Sequence, residues 1–280
     1  MARFPDRPRV VITGAGSGLG RAIALAFAKR QGRVQVADRH VPRGEETVQL
    51  VQKAGGVAEF VECDVTVSSQ VENLAVRADA LWGGTDVLVN NAGVAGAGRV
   101  DEMSLVDWEW VLRINLWGPI YGCHAFVPRM RKQRSGFILN VASSAGIVAL
   151  PEMGAYSVSK AGVIALSEVL YGEAGQDGIH VSALCPTFFK TNLMETMRAS
   201  DEQRKMTAGL FNLSTVTAEY VAACALRGLE RGELIIIPQR DGQLMWRLKR
   251  SSPSMFHKVI RLQQRFGLFQ KLAKRAAGRE

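Results

Sequence analysis

A chain of 280 residues with 47% hydrophobic side chains can bury one sizeable α/β core, and its length does not require two domains. No run of about 18 apolar residues occurs, so no transmembrane helix is expected. The net charge of +9 is uneven: of 35 Lys/Arg and 26 Asp/Glu, 11 and 2 fall between Arg240 and Glu280, so residues 1–239 are balanced and the basicity belongs to the last segment.

The first predicted strand, Val10 to Ile12, runs into Thr13-Gly-Ala-Gly-Ser-Gly-Leu-Gly20, and Arg21 to Ala28 then has helical composition. Glycines between a strand and a helix permit positive φ and let backbone approach a ligand with no Cβ in the way. The helix N-terminus behind them offers free N–H groups and a positive dipole end, which suits a pyrophosphate. The bland alternative is a tight turn that needs small residues. A second strand, Arg33 to Ala37, ends at Asp38, about 20 residues past the glycines, where a dinucleotide fold places a carboxylate on the ribose hydroxyls. A carboxylate there repels a 2′-phosphate and favours NAD over NADP; Arg39, next in the chain, would attract that phosphate instead.

A polar helix is predicted from Gly44 to Ala54, closed by Gly55-Gly56. The third strand, Val57 to Glu62, leads to Cys63-Asp64-Val65, where a carboxylate can accept from an adenine amino group. A helix follows from Ser68 to Trp82 with Ser68 as its expected cap. The strand Asp86 to Val89 closes on Asn90-Asn-Ala-Gly93, whose Asn side chains can bond backbone and stiffen the sheet centre. Strands and helices alternating at this pace predict a doubly wound parallel sheet of about seven strands, a Rossmann-type α/β fold. The Gly-rich turn, Asp38, Asp64 and Asn90 all fall at carboxyl ends of strands, where such sheets bind ligands.

Ser104 opens a helix carrying Trp108, Val111, Leu112 and Asn115, and helical character continues to Arg134 despite Pro119 and Pro128. Trp108 and Trp110 are expected to pack. Asn115 interrupts an apolar stretch, and a buried Asn must be bonded, so it has a structural or water-holding task. The fifth strand, Phe137 to Val141, runs into Ala142-Ser-Ser-Ala-Gly146. Tyr156-Ser-Val-Ser-Lys160 then opens a helix reaching Ala174. Tyr and Lys four apart share one helix face, and an ammonium beside a phenol lowers its pKa, preparing it as a general acid or base. Taken alone, that pair is also an ordinary helix surface. Ile179 to Leu184 is the sixth strand, ended by Pro186. Phe188 to Leu213 is irregular and rich in Met194, Met197, Met206 and Phe211, which suits either a mobile lid over an apolar pocket or a helical pair that packs. Thr217 starts a helix, and Glu233 to Ile237 is the seventh strand, stopped by Pro238. Four Cys and four His are scattered without metal-ligand spacing, the first residues hold no apolar signal core, and a cytoplasmic protein with reduced thiols is expected.

From about Arg9 to Pro238 the chain resembles the short-chain dehydrogenase/reductase family. The resemblance rests on Thr13 to Gly20, Asp64, Asn90-Asn-Ala-Gly93, Asn115, Ser143, Tyr156 with Lys160, and Pro186 with Thr191, in the family's order. It implies that Tyr156 exchanges a proton with the reacting oxygen, which Ser143 hydrogen-bonds. Lys160 would lower the Tyr156 pKa and hold the nicotinamide ribose, and Asn115 would hold a water linking Lys160 to solvent. Spacing to Tyr156 selects Ser143 over Ser144. The resemblance also implies cofactor contacts from Gly14, Ser17, Gly18, Leu19, Gly20, Asp38, Arg39, Asn91, Ala92, Gly93, Tyr156 and Pro186. Asp64 and Val65 would bracket adenine, and Thr191 would bond the carboxamide. One departure is Thr187, where many members have Gly after the proline.

These residues imply an NAD-dependent oxidoreductase for a hydrophobic secondary alcohol or ketone of steroid, retinoid or lipid-like character. The alternative from another class is a non-catalytic NAD-binding redox sensor or scaffold. A small apolar substrate and a homodimer or homotetramer are expected; no metal and no nucleic acid are. The chain divides at 239: residues 1–239 form the catalytic domain and 240–280 a basic helical extension. In the extension Pro253 suits a first helical turn with Ser252 as cap, and Met255, Val259, Leu262, Phe266, Phe269 and Ala273 repeat at helical spacing among basic residues. Such a helix packs on its own body or a neighbouring subunit, or it attaches to anionic lipid.

Overall fold

The computed structural model describes residues 3–212 and 214–265. Its elements run β1 (Arg9–Thr13), α1 (Gly18–Ala28), β2 (Arg33–Asp38), α2 (Val41–Lys53), β3 (Val57–Glu62), α3 (Ser68–Trp82) and β4 (Val87–Asn90). Then come α4 (Leu105–Leu112), a π-helical turn (Arg113–Trp117), α5 (Gly118–Gln133), β5 (Gly136–Val141), α6 (Ser144–Val148) and α7 (Gly154–Ala174). The chain continues through β6 (Ile179–Leu184), α8 (Asp201–Asn212), α9 (Ala218–Glu230), β7 (Ile235–Ile236), α10 (Arg240–Ser251) and α11 (Pro253–Arg265).

All strand pairs are parallel, in the order β3-β2-β1-β4-β5-β6-β7. A parallel sheet needs a helix across each connection, and these cover both faces. Alternate residues of one strand therefore enter different cores. Val10 and Ile12 of β1 pack with Ile23, Phe27 and Leu229 on the α1 and α9 side, while Val11 packs with Leu74, Phe126 and Met130 on the α3 and α5 side. The strand order reverses between β1 and β4, which opens a crevice at their carboxyl ends.

Local differences from the sequence reading have plain causes. α2 starts at Val41, three residues early, because Pro42 fits a first turn where no N–H is needed. The cap position of α3 is Val67, with Ser68 already helical, so the expected Ser68 cap is not formed. Ser104 and Thr217 do cap, accepting from the N–H groups of Asp107 and Tyr220. Gly55 closes α2 at φ +91, and the long helix to Arg134 contains the π turn around Asn115.

Candidate active site

A cleft of about 1080 Å³ lies along the carboxyl ends of the strands. At its floor β1 turns into α1. Gly14 has φ +63, and a Cβ there would stand 2.7 Å from Ala92 Cα. Gly18 has φ +51, and a Cβ there would stand 3.0 Å from Thr191 Oγ1. Asn91 holds the turn from across the crevice, donating from Nδ2 to the carbonyls of Thr13 (2.9 Å) and Gly14 (3.0 Å). Thr13 Oγ1 returns the brace by accepting from Asn91 N at 3.0 Å and Ala92 N at 3.2 Å.

Asp38 sits at the end of β2 with both carboxylate oxygens in use, Oδ2 accepting from Gly16 N at 2.8 Å and Oδ1 from His40 N at 2.9 Å. These backbone donors fix the charge at the cleft wall beside Arg39. Asp64 accepts from Thr66 N (2.9 Å) and Thr66 Oγ1 (2.8 Å), while buried Val65 leans on Gly118. Positive-φ glycines at a helix N-terminus and a backbone-held carboxylate one strand away form a donor and acceptor set that fits a dinucleotide.

The other end of the cleft is built by α6 and α7. Ser143 caps α6, its Oγ accepting from Ala145 N at 3.1 Å. Tyr156 and Lys160 lie one turn apart near the start of α7, both buried. Lys160 Nζ donates to the Val141 carbonyl at 2.8 Å and stands 5.8 Å from the centroid of the Tyr156 ring. Burial pushes the Tyr156 phenol above its ordinary value, and the Ser143 hydroxyl opposes that rise. Burial also takes Lys160 down to about 8, and the nearby Cys185 opposes this shift. Lys160 is not among the groups that shift the phenol in this geometry. In this geometry the lysine is bonded to a carbonyl and is itself desolvated, and desolvation dominates both groups.

The expected residues Gly14, Ser17, Gly18, Leu19, Asp38, Arg39, Asp64, Val65, Asn91, Ala92, Gly93, Ser143, Tyr156, Lys160, Pro186 and Thr191 all line this one cleft. Gly20 and Asn115 do not. Gly20 serves packing, since a Cβ there would stand 2.3 Å from the Gly14 carbonyl oxygen. The Asn115 side chain is a brace: it accepts from Val94 N at 2.8 Å and donates to Val94 O at 2.9 Å and Ser159 Oγ at 3.2 Å. Ser159 Oγ in turn donates to the Tyr156 carbonyl at 2.7 Å. Its carboxamide therefore ties the strand-end loop to the turn carrying Tyr156.

The opposite wall comes from residues 187–211 and α10, and it includes Phe189, Met197, Phe211 and Met245; Met153, just before α7, also lines the cleft. Of the methionines and leucine expected here, the Met206 side chain and Leu213 lie outside the described residues. The segment is tied on two sides. Arg198 bonds Asp107 at 2.8 Å and lies over the Trp110 ring at 4.1 Å, and its backbone pairs with Ala95 and Ala97. Glu195 bonds Arg43 of α2 at 2.8 Å. Thr187 replaces the family's Gly without a positive φ: its N–H donates to Gln239 Oε1 at 3.0 Å, and its methyl occupies the space a Gly242 Cβ would need.

Sequence reasoning missed Gln239, Arg198 and Met245. Gln239 is buried and braces the wall from beyond Pro238, so a polar residue after an apolar strand was an available signal. Arg198 had none, because its partners lie about ninety residues away. The first helix of the basic segment also belongs here. Arg240, Asp241 and Met245 line the cleft, and Lys249 Nζ donates to the Ile147 carbonyl at 2.5 Å.

A family model described as short chain dehydrogenase matches residues 8–202. A D-threitol dehydrogenase of Mycolicibacterium smegmatis is 38% identical over 188 residues, 67% of this chain and 72% of that protein. A 3beta-hydroxysteroid dehydrogenase of Mediterraneibacter gnavus is 36% identical over 205 residues, 73% of this chain and 74% of that protein. The crystal structure of a short-chain dehydrogenase/reductase from Burkholderia phymatum in complex with NAD superposes with a TM-score of 0.85 at 30% identity, covering 91% of this chain and 96% of that one. The braced glycine turn and the Ser143–Tyr156–Lys160 cluster thus lie within a match spanning most of the chain, which belongs to the short-chain dehydrogenase/reductase family of oxidoreductases.

Proposed function

We propose that this oxidoreductase uses NAD to interconvert a hydrophobic secondary alcohol and its ketone. The observation that carries the reading is one cleft with a dinucleotide wall at Gly14–Asp38, a proton-handling cluster at Ser143, Tyr156 and Lys160, and an apolar wall from Phe189 to Met245. A nicotinamide dinucleotide bound there supplies or accepts the hydride. The chain's own task is the proton. Tyr156 Oη gives a proton to the carbonyl oxygen in reduction and takes one from the hydroxyl in oxidation. Ser143 Oγ hydrogen-bonds that same oxygen, and Lys160 Nζ carries positive charge beneath the phenol and bonds ribose. Thr191 is the bonding partner for the carboxamide, and Asp64 with Val65 borders adenine.

Asp38 supports NAD over NADP, because a carboxylate fixed by two N–H groups cannot swing aside from a 2′-phosphate. The relatives named above carry a polyol and a steroid in their names at nearly equal identity, so relatedness alone does not choose a substrate class. The apolar wall favours the steroid- or lipid-like class. A redox sensor or scaffold would need no buried proton-handling set, and that set supports catalysis.

Residues 1–239 form the catalytic unit in this reading, and 240–280 an extension whose first helix completes the cleft. Exposed Leu105 and Val106 on α4, with Val158 and Val169 on α7, support a homodimer or homotetramer. The cytoplasm is the compartment we propose, with peripheral attachment to a membrane through the extension. The enzymatic reading is tested by offering apolar secondary alcohols and polyols with NAD and NADP and following the absorbance of the reduced nicotinamide. Turnover of apolar alcohols with NAD is expected, and turnover confined to polyols or to NADP would overturn it.

A further inference from the structure

Among the described residues, α11 is a helix without a body. None of its residues with a described side chain is buried, and its neighbour is α10. An isolated helix of this length is marginal in water, so a partner surface is called for. Its apolar side chains form two adjoining stripes. Phe256 and Ile260 are half-buried, whereas Met255, Val259 and Leu262, at spacings of four and three, are exposed, Met255 by 61% and Leu262 by 54%. At 3.6 residues per turn, Lys258, Arg261 and Arg265 fall on the arc beside the exposed stripe. α10 repeats the pattern. Leu244 and Leu248 are exposed, with Arg240 and Arg247 on the arc beside them, while Met245 and Trp246 turn inward to the cleft and the core.

No acid occurs from Gly242 to Gly278, and among the described residues no cation of α10 or α11 takes part in an ion pair with an acidic side chain. We propose that the outer face of α10 and α11 binds the surface of anionic phospholipid bilayers, with Leu248, Met255, Val259 and Leu262 in the headgroup layer and Lys258, Arg261 and Arg265 on lipid phosphates. This rests on the reading of an apolar substrate only for its biological use, since α10 would then set the cleft wall against the phase that holds such a substrate.

Charge selects lipid over other occupants. A second copy meeting this face through a twofold axis would set like charges against each other with no acid between them. A nucleic acid would satisfy the cations and leave the five exposed aliphatic side chains in water.

The test uses the full chain with sedimenting vesicles of phosphatidylcholine alone or with about one-third phosphatidylglycerol, a lipid choice that follows the electrostatic argument. Wild type should pellet with the anionic vesicles at low salt, lose most of that binding in 0.5 M salt, and ignore the neutral ones. Two triple variants divide the surface: Met255→Asp with Val259→Asp and Leu262→Asp, and Lys258→Gln with Arg261→Gln and Arg265→Gln. Each should weaken vesicle binding at least tenfold, with the melting temperature and dinucleotide affinity unchanged, because every substituted side chain is exposed. The proposal fails if wild type ignores anionic vesicles at low salt, if both triples bind as wild type does, or if the triples change the mass by light scattering without vesicles. That last result would make the face a contact between copies. Turnover of a water-soluble alcohol without vesicles reads the enzymatic proposal separately.

Discussion

The two long walls of the cleft are held by different physics. The dinucleotide wall hangs on strand ends and is fixed by backbone: Asn91 to the Thr13 and Gly14 carbonyls, and the Gly16 and His40 N–H groups to Asp38. The substrate wall is a crossover of residues 187–212 plus α10, tied by part-exposed ion pairs at Glu195 and Arg198, by side-chain bonds to Gln239 and by one short backbone bridge of Arg198 to Ala95 and Ala97. Part-exposed pairs contribute only about 0.2–1 kcal/mol each, so this wall is the more easily released of the two. A rigid cofactor surface faced by an adjustable substrate surface lets one chemistry serve varied substrates.

The sharpest way to break this comparison is to remove the proton carrier that sits between the walls. Tyr156→Phe should lower turnover by about 10²–10⁴-fold, the usual contribution of a general acid or base. The dinucleotide dissociation constant, read by fluorescence titration, should stay within about twofold, because the hydroxyl faces the reacting oxygen and Asp38 and Gly14 remain in place. The same group sets the pH dependence. Its pKa is raised by burial, so the basic form needed for alcohol oxidation is scarce at neutral pH. Oxidation should climb with pH between 7 and 9 by up to about tenfold per unit, and ketone reduction should not. A variant retaining more than about one-tenth of kcat would assign the proton to another group.

A smaller effect separates the ends of the dinucleotide wall. Asp38→Asn keeps an acceptor for one of its two N–H partners but removes the charge. The preference for NAD over NADP in kcat/KM should fall by about tenfold, or roughly 1.4 kcal/mol, while turnover with NAD changes little. An unchanged ratio would mean that the Asp38 charge does not set the preference.

What the sequence made legible follows the same division. The dinucleotide wall was readable because each requirement there is local. Gly14 and Gly18 need positive φ, Asp38 ends its strand, and Tyr156 and Lys160 share one helical turn. Every strand was anticipated, since β1, β4 and β5, buried on both faces, read as apolar runs and β2 as an alternating one, although β7 pairs over only two residues. Asn115 was recognised as buried and polar, but its partners Val94 and Ser159 lie 21 and 44 residues away, so spacing carried no sign of its bracing role. The surroundings of the phenol were hidden for a related reason. Helical spacing shows that Lys160 is near Tyr156, but it does not show that the Val141 carbonyl takes the ammonium. For the substrate wall only composition was legible, and composition does not tell that Arg198 locks onto Asp107 and Trp110.

That lock gives the smallest expected effect and tests the adjustable wall directly. Arg198 joins residues 187–212 to α4 twice, through the carboxylate of Asp107 and the face of Trp110, while its backbone pairing with Ala95 and Ala97 does not depend on the side chain. The Ser104 hydroxyl, with the Arg198 guanidinium, holds the Asp107 carboxyl below its ordinary value, so the acid stays charged and the tie is intact at neutral pH. Both ends are partly exposed, and solvent screening reduces the ion pair to a fraction of 1 kcal/mol, with a comparable contribution from the ring. Arg198→Ala should therefore raise KM for an apolar alcohol about threefold to tenfold, with kcat and dinucleotide affinity within about twofold of wild type. Arg198→Lys should recover only part of the loss, because an ammonium reaches the carboxylate but cannot lay a flat face on the indole. A fall in dinucleotide affinity as large as the rise in KM would mean that the two walls move as one body, and the contrast between them would be wrong.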